Sequence, residues 1–480
     1  MALINSKKLK RLKKRILSST SEVINRGLDQ HVNIAVTGLS QAGKTAFITS
    51  LVNQLVNEGS TRPLNFFNVV QQGRFIAAKR VPQHNLHISR FDYDGAMEKL
   101  SQEPPIWPEP TKSISEIRLA LRYYPDQSLL KYTRDMATLH IDITDYPGEW
   151  LLDLPMLNQT FEQWSEYMGE LLLQEPRASV AADFLEKLQQ IDPLSPANEN
   201  ELAELADEYT QLLKNFREDL GLSVIQPGRF ILPGEHAGAP ILQFVPYPFL
   251  DNIDEEHYQM AEQDTFIGML RARYLEYRER IVREFYKKYF VNFDRQIVLA
   301  DCLTPLNSGA YAFKDLQQAI SLIMESFAYG KSNIISRLFS PKIDKLLFAA
   351  TKADHVTSDQ HHNLTALLEQ LVHKAKKSLS FDAIKMKTLA IASVKTTEQG
   401  KSEYQGKPIT VLKGKRADND KAITIFPGSV PGKLPEQDYW QQKGFNFLAF
   451  KPMHAISEHQ SLPHIRIDQV LQFLLGDKLK

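Results

Sequence analysis

An octapeptide with two glycines, residues 38–45 (GLSQAGKT), limits the fold of this 480-residue chain more than any other feature. Alternating apolar residues, Val32, Ile34 and Val36, precede it, and apolar residues at helical spacing follow it over residues 47–55. This pattern predicts a strand, a loop and a helix. The glycines let the loop wrap backbone N–H groups around an anion at the N-terminus of the helix. The spacing G-x-x-x-x-G-K-[ST] therefore predicts a phosphate-binding loop (P-loop) in an α/β fold.

The residues of this loop have distinct predicted roles. Lys44 brings a positive charge to the outer phosphates of a nucleotide, and Thr45 brings an oxygen to Mg²⁺. Lys44 is therefore also a predicted catalytic residue, and Thr45 is a predicted metal ligand. The nucleotide-binding residues predicted here are Ser40, Gln41, Ala42, Gly43, Lys44, Thr45 and Ala46.

A second motif, DYPG, begins at Asp145. It follows two alternating stretches, residues 117–123 and 139–143, which predict an antiparallel hairpin at the edge of a sheet. An aspartate at the tip of the second strand can reach Mg²⁺ through a water molecule, and Gly148 can present its N–H to a γ-phosphate. Asp142 is a rival for the metal role, but it lies in mid-strand on the polar face. Asp145 is therefore the preferred metal residue and Gly148 a predicted catalytic residue.

Residues 60–115, which precede the hairpin, contain many prolines and are predicted to be irregular. Thr111, Ser113 and Ser115 are the hydroxyl residues nearest the hairpin. We prefer Thr111 as a metal ligand and catalytic residue, because it follows a proline-rich segment that can close over Mg²⁺.

Two further motifs follow strand-like stretches later in the chain. Lys352 and Asp354 lie in a T-K-A-D sequence after residues 346–350, and Ser393 and Val394 follow the next predicted strand. A carboxylate at residue 354 can accept both the N1–H and the exocyclic N–H of guanine, which adenine cannot offer. The stem of Lys352 can cover the base, and a backbone N–H after the second strand can meet the guanine O6. The order of the four motifs favours guanine specificity.

These motifs resemble those of TRAFAC-type GTPases with a Ras-like core. With the Trp107-Pro108 segment, the DYPGEW sequence and the other motifs, the chain is similar to the YcjX-like stress-associated GTPases of proteobacteria. The resemblance implies GTP and GDP binding with Mg²⁺, a helical insertion after the DYPG strand, and a role in a bacterial stress response.

Two positions depart from the Ras-like pattern. Thr351 stands where Asn is usual, so the side-chain tether from the base motif to the P-loop is shorter. Glu149 stands where Ras-like enzymes carry a water-orienting Gln. A carboxylate beside a γ-phosphate is repelled and cannot donate as an amide does. We therefore count Glu149 among the predicted catalytic residues and expect slow intrinsic hydrolysis, stimulated by an unknown protein partner.

The predicted fold class is a P-loop NTPase core sheet with a large, mostly helical insertion and a small α+β C-terminal extension. Residues 263–291 predict a long helix, in which glutamates among the basic residues favour intrahelical ion pairs over nucleic-acid binding. The extension is expected to contain short strands at 422–426 and 445–450 and a final helix at 467–475 that packs on the core. The predicted divisions are a basic arm (1–30), the core (31–150 and 293–395), the insertion (151–292) and the extension (396–480).

Charge and composition limit the partners. Lys plus Arg and Asp plus Glu are both 57, so no nucleic-acid partner is predicted. The single cysteine, Cys302, favours a reducing cytoplasm, and no run reaches the ~18 apolar residues of a membrane span. Residues 7–15 contain seven basic residues at the start of an amphipathic pattern. They predict a short basic helix. It is either a solvated arm or packed on its own domain, or it is a surface that contacts an acidic partner or anionic lipid at the inner face of the membrane.

Three functions are compatible with these observations. The leading hypothesis is a GTP-hydrolysing switch whose loops are ordered by the γ-phosphate. The first alternative is a P-loop ATPase or small-molecule kinase, which needs no guanine-selective carboxylate. The second is a membrane-associated scaffold that binds nucleotide with little turnover.

Overall fold

The structure is a computed structural model. It describes residues 30–39, 42–57, 64–110, 112–126, 136–328, 342–381, 384–419, 421–442, 445–452 and 460–480.

A mixed β-sheet forms the centre of the described part of the chain. Its eight strands are β1 (Gln30–Gly38), β2 (Phe75–Val81), β3 (Ser89–Arg90), β4 (Ser115–Tyr123), β5 (Ala137–Asp145), β6 (Arg295–Ala300), β7 (Lys345–Ala350) and β8 (Lys385–Ala390). The order is β2-β4-β5-β1-β6-β7-β8, with β3 beside β4. Strands β5, β1, β6, β7 and β8 are parallel, so their carboxyl ends share one edge.

The predicted hairpin is confirmed, because β4 and β5 pair antiparallel from Ser115 opposite Asp145 to Tyr123 opposite Ala137. Its predicted place at the sheet edge is wrong, since β2 pairs antiparallel with the outer side of β4. The prediction that residues 60–115 are irregular is also wrong. Strand β2 is largely exposed and carries charged residues, so its sequence lacks the apolar alternation that marks a half-buried strand.

Helices cover both faces of the sheet. They are α1 (Lys44–Val56), α2 (Asn68–Gln71), α3 (Tyr93–Ser101), α4 (Glu149–Leu152), α5 (Phe161–Leu172), α6 (Arg177–Gln190), α7 (Glu199–Glu218), α8 (Gly228–Ile231), α9 (Glu255–Met260), α10 (Phe266–Glu276), α11 (Arg283–Lys288), α12 (Leu303–Ser308), α13 (Ala310–Ala328), α14 (His361–Phe381), α15 (Gln437–Gln442) and α16 (Ile467–Leu475). Short 3₁₀ turns lie at Leu154–Asn158, Gly234–His236, Pro240–Leu242, Leu250–Asn252, Phe290–Asn292, Ala353–His355 and Ser358–Gln360.

The two faces belong to different apolar clusters. Val32, Ile34 and Val36 of β1 pack in one cluster with α1, α3 and α16. Ala35, which points the other way, packs in a second cluster with α13, α14 and the helices between β5 and β6. Because strands alternate their side chains, β1 joins the two halves of the core.

The helices between β5 and β6 begin and end at local signals. Thr160 and Gln163 form a capping box at α5, and the Asn198 side chain accepts the backbone N–H groups of Asn200 and Glu201 at α7. Each such cap stabilises its helix by about 1 kcal/mol. The segment is not a detached module, because its aromatic residues share an apolar cluster with the sheet. A buried ion pair of 2.5 Å between Arg177 and Asp315 also ties α6 to α13.

The predicted long helix is present as α10, a π-helical segment (Tyr277–Val282) and α11 in direct succession. Ion pairs one turn apart join Glu276 to Arg280, Glu279 to Arg283 and Glu284 to Lys288. The prediction of intrahelical ion pairs is therefore confirmed.

The C-terminal region contains a second, four-stranded sheet built from β9 (Glu398–Tyr404), β10 (Lys407–Arg416), β11 (Ala422–Ile425) and β12 (Phe450–Lys451). The β9–β10 hairpin lies in a polar stretch in which the sequence predicted no strands. It turns at Gln405 and Gly406, which both have positive φ and so match the twist of a tight hairpin. The predicted final helix is confirmed as α16, and Asp477 just after it pairs with buried Arg295 of β6 at 2.9 Å.

Among the described helices, none combines the length and the apolar content that a membrane crossing requires.

Candidate nucleotide-binding site

A cavity of about 420 Å³ opens at the carboxyl edge of the parallel strands. The residues that line it come from six segments of the chain: Ala42, Gly43, Lys44, Thr45, Ala46, Trp107, Pro108, Pro110, Thr351, Lys352, Asp354, His355, Ala392, Ser393, Val394, Ala417, Ala449 and Phe450. The cavity therefore brings together most of the predicted nucleotide-binding residues from both ends of the sequence. Ser40 and Gln41 lie outside the described residues.

At one end of the cavity lies the P-loop. Gly43 has a φ of 79°, a left-handed conformation that a side chain would strain, and α1 begins directly after it. The Lys44 ammonium lies 3.5 Å from the carbonyl oxygen of Gly38, so it folds back over its own loop. The Thr45 hydroxyl donates to the carbonyl of Glu109 at 3.0 Å. This contact holds the segment before Thr111 against the start of α1.

At the other end lie the two motifs that follow β7 and β8. Asp354 is 4% exposed, and its Oδ2 accepts the backbone N–H and the hydroxyl of Thr396, each at 2.6 Å. Oδ1 remains to accept hydrogen bonds from a base. The Ser50 hydroxyl of α1 donates to the carbonyl of Ser393 at 2.5 Å and so connects the P-loop helix to this end. The Thr351 hydroxyl donates to the carbonyl of Ala300 at 3.5 Å.

Lys352, which follows β7 and lines the cavity, adopts a left-handed conformation (φ 60°). Its ammonium lies 2.5 Å from Oδ2 of Asp301, which also accepts the Thr304 hydroxyl, while Oδ1 of Asp301 accepts the backbone N–H of Thr304. Burial acts to raise the pKa of Asp301, but Lys352 and the hydrogen bonds from Thr304 outweigh it and lower that pKa below its ordinary value. Asp301 is therefore ionised at neutral pH and holds the Lys352 stem at the cavity wall. The sequence did not indicate this role for Asp301.

The C-terminal sheet supplies a wall that the sequence motifs did not reveal. Phe450 of β12 packs edge-on against His355, with ring centres 5.1 Å apart. Burial lowers the pKa of His355, so this wall is uncharged at neutral pH. The Trp107 indole donates to the carbonyl of Phe450 at 3.2 Å. Of these residues, only Trp107 stood out in the sequence, as part of the family resemblance.

The predicted residues of the DYPG motif meet the P-loop at Gly38 and are not among those lining the cavity. Asp145 ends β5 fully buried, opposite Val36 of β1. Gly148 lies so close to Gly38 that a Cβ would come within 2.1 Å of its carbonyl oxygen. Glu149 begins α4 and is 5% exposed. The rival Asp142 pairs with His31 and Arg118 along the sheet, away from its tip.

The donors available for Mg²⁺ are oxygen atoms. Thr45 lies in the first turn of α1, and Asp145 ends β5, the strand beside β1. Both side chains offer the hard oxygen ligands that Mg²⁺ prefers. Thr111, the third predicted ligand, lies outside the described residues, although Pro110 beside it lines the cavity. Among the described residues no group of three or more His, Cys, Asp or Glu side chains is arranged to hold a metal. Mg²⁺ sites on nucleotides use few protein ligands, so this donor set fits.

A G-x-x-x-x-G-K-T loop joins a strand of a largely parallel sheet to a helix. This arrangement defines a P-loop protein with a Ras-like core. The chain belongs to the YcjX-like family (DUF463), whose family model matches residues 32–479. The resemblance drawn from the motifs is therefore confirmed.

Two curated relatives cover nearly the whole chain. A protein of Escherichia coli named "Ras-like GTPase YcjX" is 48% identical over 467 residues, 97% of this chain and 100% of the relative. A protein of the same name from Shewanella oneidensis is 42% identical over 477 residues, 97% of this chain and 98% of the relative.

Proposed function

We propose that this chain is a GTP-binding, slowly GTP-hydrolysing switch. The observation that carries the proposal is the single cavity that has the P-loop at one end and the T-K-A-D and S-V-K motifs at the other. Two relatives that align over nearly their full length are named GTPases. An ATPase or kinase has no need for a buried carboxylate at the position of Asp354.

Guanine would be read by Asp354 and by the backbone after β8. Because Thr396 occupies Oδ2 and fixes the carboxylate plane, Asp354 is held ready to accept from the N1–H and N2–H groups. Hydrogen bonds to a charged acceptor contribute roughly 1.5–3 kcal/mol each. Adenine presents an acceptor at N1, so it would place a lone pair, and no donor, opposite Oδ1 of Asp354.

The phosphates would lie on the P-loop and at the N-terminus of α1. Lys44 would leave the Gly38 carbonyl and bind the outer phosphates. Thr45, Asp145 and Thr111 would hold Mg²⁺, directly or through water. When bound, Mg²⁺ neutralises charge on the phosphates.

Glu149 supports slow turnover, and the packing of Gly148 supports a role as a switch. Glu149 cannot donate a hydrogen bond as the amide of Gln does, and its negative charge opposes a γ-phosphate. Gly148 is packed on Gly38 with no room for a side chain, so its N–H is fixed relative to the P-loop. The structural response to a bound γ-phosphate would therefore depend on how neighbouring segments hold Gly148 and Glu149.

Those neighbouring segments would report the nucleotide state to an unidentified protein effector or activator. Gly228 packs on the backbone of Glu149, and Trp107 binds the C-terminal sheet at Phe450. The division into core (31–150 and 293–395), insertion (151–292) and extension (396–480) belongs to this proposal. Limited proteolysis with and without GTP tests it through cleavage at the boundaries.

The deciding experiment is a binding titration with GTP, GDP and ATP, with turnover measured on the same sample. We expect binding of both guanine nucleotides, no binding of ATP at equal concentration, and slow release of phosphate from GTP. Asp354→Ala should abolish the preference for guanine. Preferential ATP binding, unaffected by Asp354→Ala, would establish the ATPase or kinase alternative.

The cellular role that we propose is in a bacterial stress response, in the cytoplasm, with residues 1–30 contacting the inner face of the membrane. The basic residues 7–15 support the membrane contact. Sedimentation with anionic vesicles, compared between the full chain and a chain without residues 1–30, tests it; equal sedimentation would refute it. Survival of heat shock by a deletion strain carrying wild-type or Lys44→Ala protein tests the stress role.

A further inference from the structure

Glu149, at the position of the water-orienting residue, has an unusual environment. Its carboxylate is buried, and Oε2 has no hydrogen-bond partner among the described residues. Oε1 lies 3.8 Å from Nη1 of Arg217, which belongs to the last turn of α7. Burying a carboxylate without a nearby cation costs free energy of folding. The charge of Arg217 reduces this cost for Glu149.

Arg217 is held in place by the packing around it. The preceding residue, Phe216, is fully buried, and its carbonyl accepts the N–H of Leu222 at 2.8 Å. The guanidinium of Arg177 lies 5.4 Å from the Phe216 ring. Arg217 itself is largely buried, and its second nitrogen pairs with Glu218 at 2.5 Å. The carboxylates of Glu149 and Glu218 therefore both orient the guanidinium of Arg217.

Arg217 also lines a cavity with a residue of the P-loop. Together with Leu39, Asp301 and Thr304 it lines a separate cavity of about 140 Å³. Leu39 is the second residue of the P-loop, and Asp301 is the partner of Lys352. An arginine from a helix more than 60 residues beyond the DYPG motif thus lies beside Glu149 and lines a cavity that a P-loop residue also lines.

We propose that Arg217 is a positioning residue for GTP hydrolysis, which neutralises and orients Glu149 so that its carboxylate can accept a hydrogen bond from the attacking water beside the γ-phosphate. The inference rests on the proposed function. In the reaction the water oxygen bonds to the γ-phosphorus, and the bond from that phosphorus to the β–γ bridging oxygen breaks. The electron pair of the broken bond stays with GDP. One water proton passes to another oxygen of the released phosphate, and the second stays on the attacking oxygen.

The test is a mutant cycle read by single-turnover GTP hydrolysis and by GDP affinity. Arg217→Ala should slow hydrolysis about 10–100-fold, because a misplaced orienting group costs rates of this size. GDP affinity should not change, which shows that the variant is folded, and Arg217→Lys should restore part of the rate. The matched control is Arg280→Ala, which removes an exposed arginine of the same helical region.

The cycle is completed in a Glu149→Gln background. If Arg217 acts through Glu149, Arg217→Ala should have little further effect there. An equal loss in both backgrounds would overturn the inference, since Arg217 would then act on the phosphate or on the fold. Hydrolysis by Arg217→Ala at the wild-type rate would overturn it as well, and leave the proposed function intact. A wild-type protein that binds GTP and never hydrolyses it would overturn both.

Discussion

The two ends of the cavity are built in different ways. At the base end, Asp354 and Thr396 follow neighbouring strands, β7 and β8, and bind each other directly. Behind the phosphate end, Gly148 and Glu149 do not line the cavity and are held by residues from distant segments, Gly38 and Arg217 among them. In the proposed function, base recognition would therefore rest mainly on the strand tips. Control of hydrolysis would depend on how the helical segment packs on the core.

The comparison is tested most strongly by Asp354→Asn. The Thr396 N–H must keep an acceptor, so the Asn oxygen should take the place of Oδ2 and the amide N–H₂ should face the base. That donor suits the oxygen of xanthine and opposes guanine. We expect the preference for GTP over XTP to change by about 10³-fold, from two charge-assisted hydrogen bonds lost. Competition binding measures it, with Asp359→Asn, an exposed neighbour, as control. An unchanged preference would mean that Asp354 does not read the base.

Lys44→Ala addresses the phosphate end. The variant loses one charge-assisted contact to the outer phosphates, and we expect GTP and GDP affinity to fall about 10–100-fold. Isothermal titration measures the loss, and circular dichroism checks that the fold is intact. Lys79→Ala, which removes an exposed lysine from β2, should bind like the wild type. Unchanged GDP affinity in Lys44→Ala would refute the assignment of the P-loop.

Substitution of Asp153 tests the packing around α4, the helix that begins at Glu149. Asp153 follows α4, accepts the Gly228 N–H at 2.8 Å and the Tyr277 hydroxyl at 2.6 Å, and burial raises its pKa to about 7. Because the folded state holds the proton more tightly than the unfolded state, stability from this group is present at low pH and is lost as the pH rises towards 7. The loss should be about 2 kcal/mol between pH 5.5 and 8.

Chemical unfolding at several pH values measures this loss. Asp153→Asn should lack it, so the difference between wild type and variant should itself depend on pH. Asp183→Asn, an exposed aspartate of α6, should follow the wild type. A constant difference between Asp153→Asn and wild type across this range would show that Asp153 is ionised in the folded protein.

The smallest effect is expected at the hydrogen bond between Trp107 and Phe450 of the C-terminal sheet. Trp107→Phe removes the hydrogen bond to the Phe450 carbonyl while keeping an aromatic ring, at a cost of about 1 kcal/mol. GDP should therefore dissociate a few-fold faster, which stopped-flow exchange of a fluorescent analogue can follow. Trp440→Phe, at a tryptophan that packs against Phe313, is the control. Equal dissociation rates in Trp107→Phe and the wild type would mean that the C-terminal sheet does not retain nucleotide.

What the sequence determined by itself is the part of the molecule encoded by short-range patterns. The P-loop, the β4–β5 pairing and the helix at residues 467–475 follow from local periodicity and from glycine and lysine at fixed spacing. The four motifs also identified the family. A phosphate loop requires backbone shape over only eight residues, so one short segment contains all the information.

The tertiary structure alone decided which distant residues surround these motifs. Arg217 and Asp301 are ordinary charged residues in the sequence, and Phe450 ends a predicted short strand (445–450) that nothing in the sequence connected with the nucleotide cavity. Their places depend on the packing of the helical segment and the C-terminal sheet, through contacts such as Asp315 with the Ser223 backbone. Many side chains share in fixing such long-range contacts, and no local pattern records them. The base end could therefore be predicted residue by residue, whereas the surroundings of Glu149 could not.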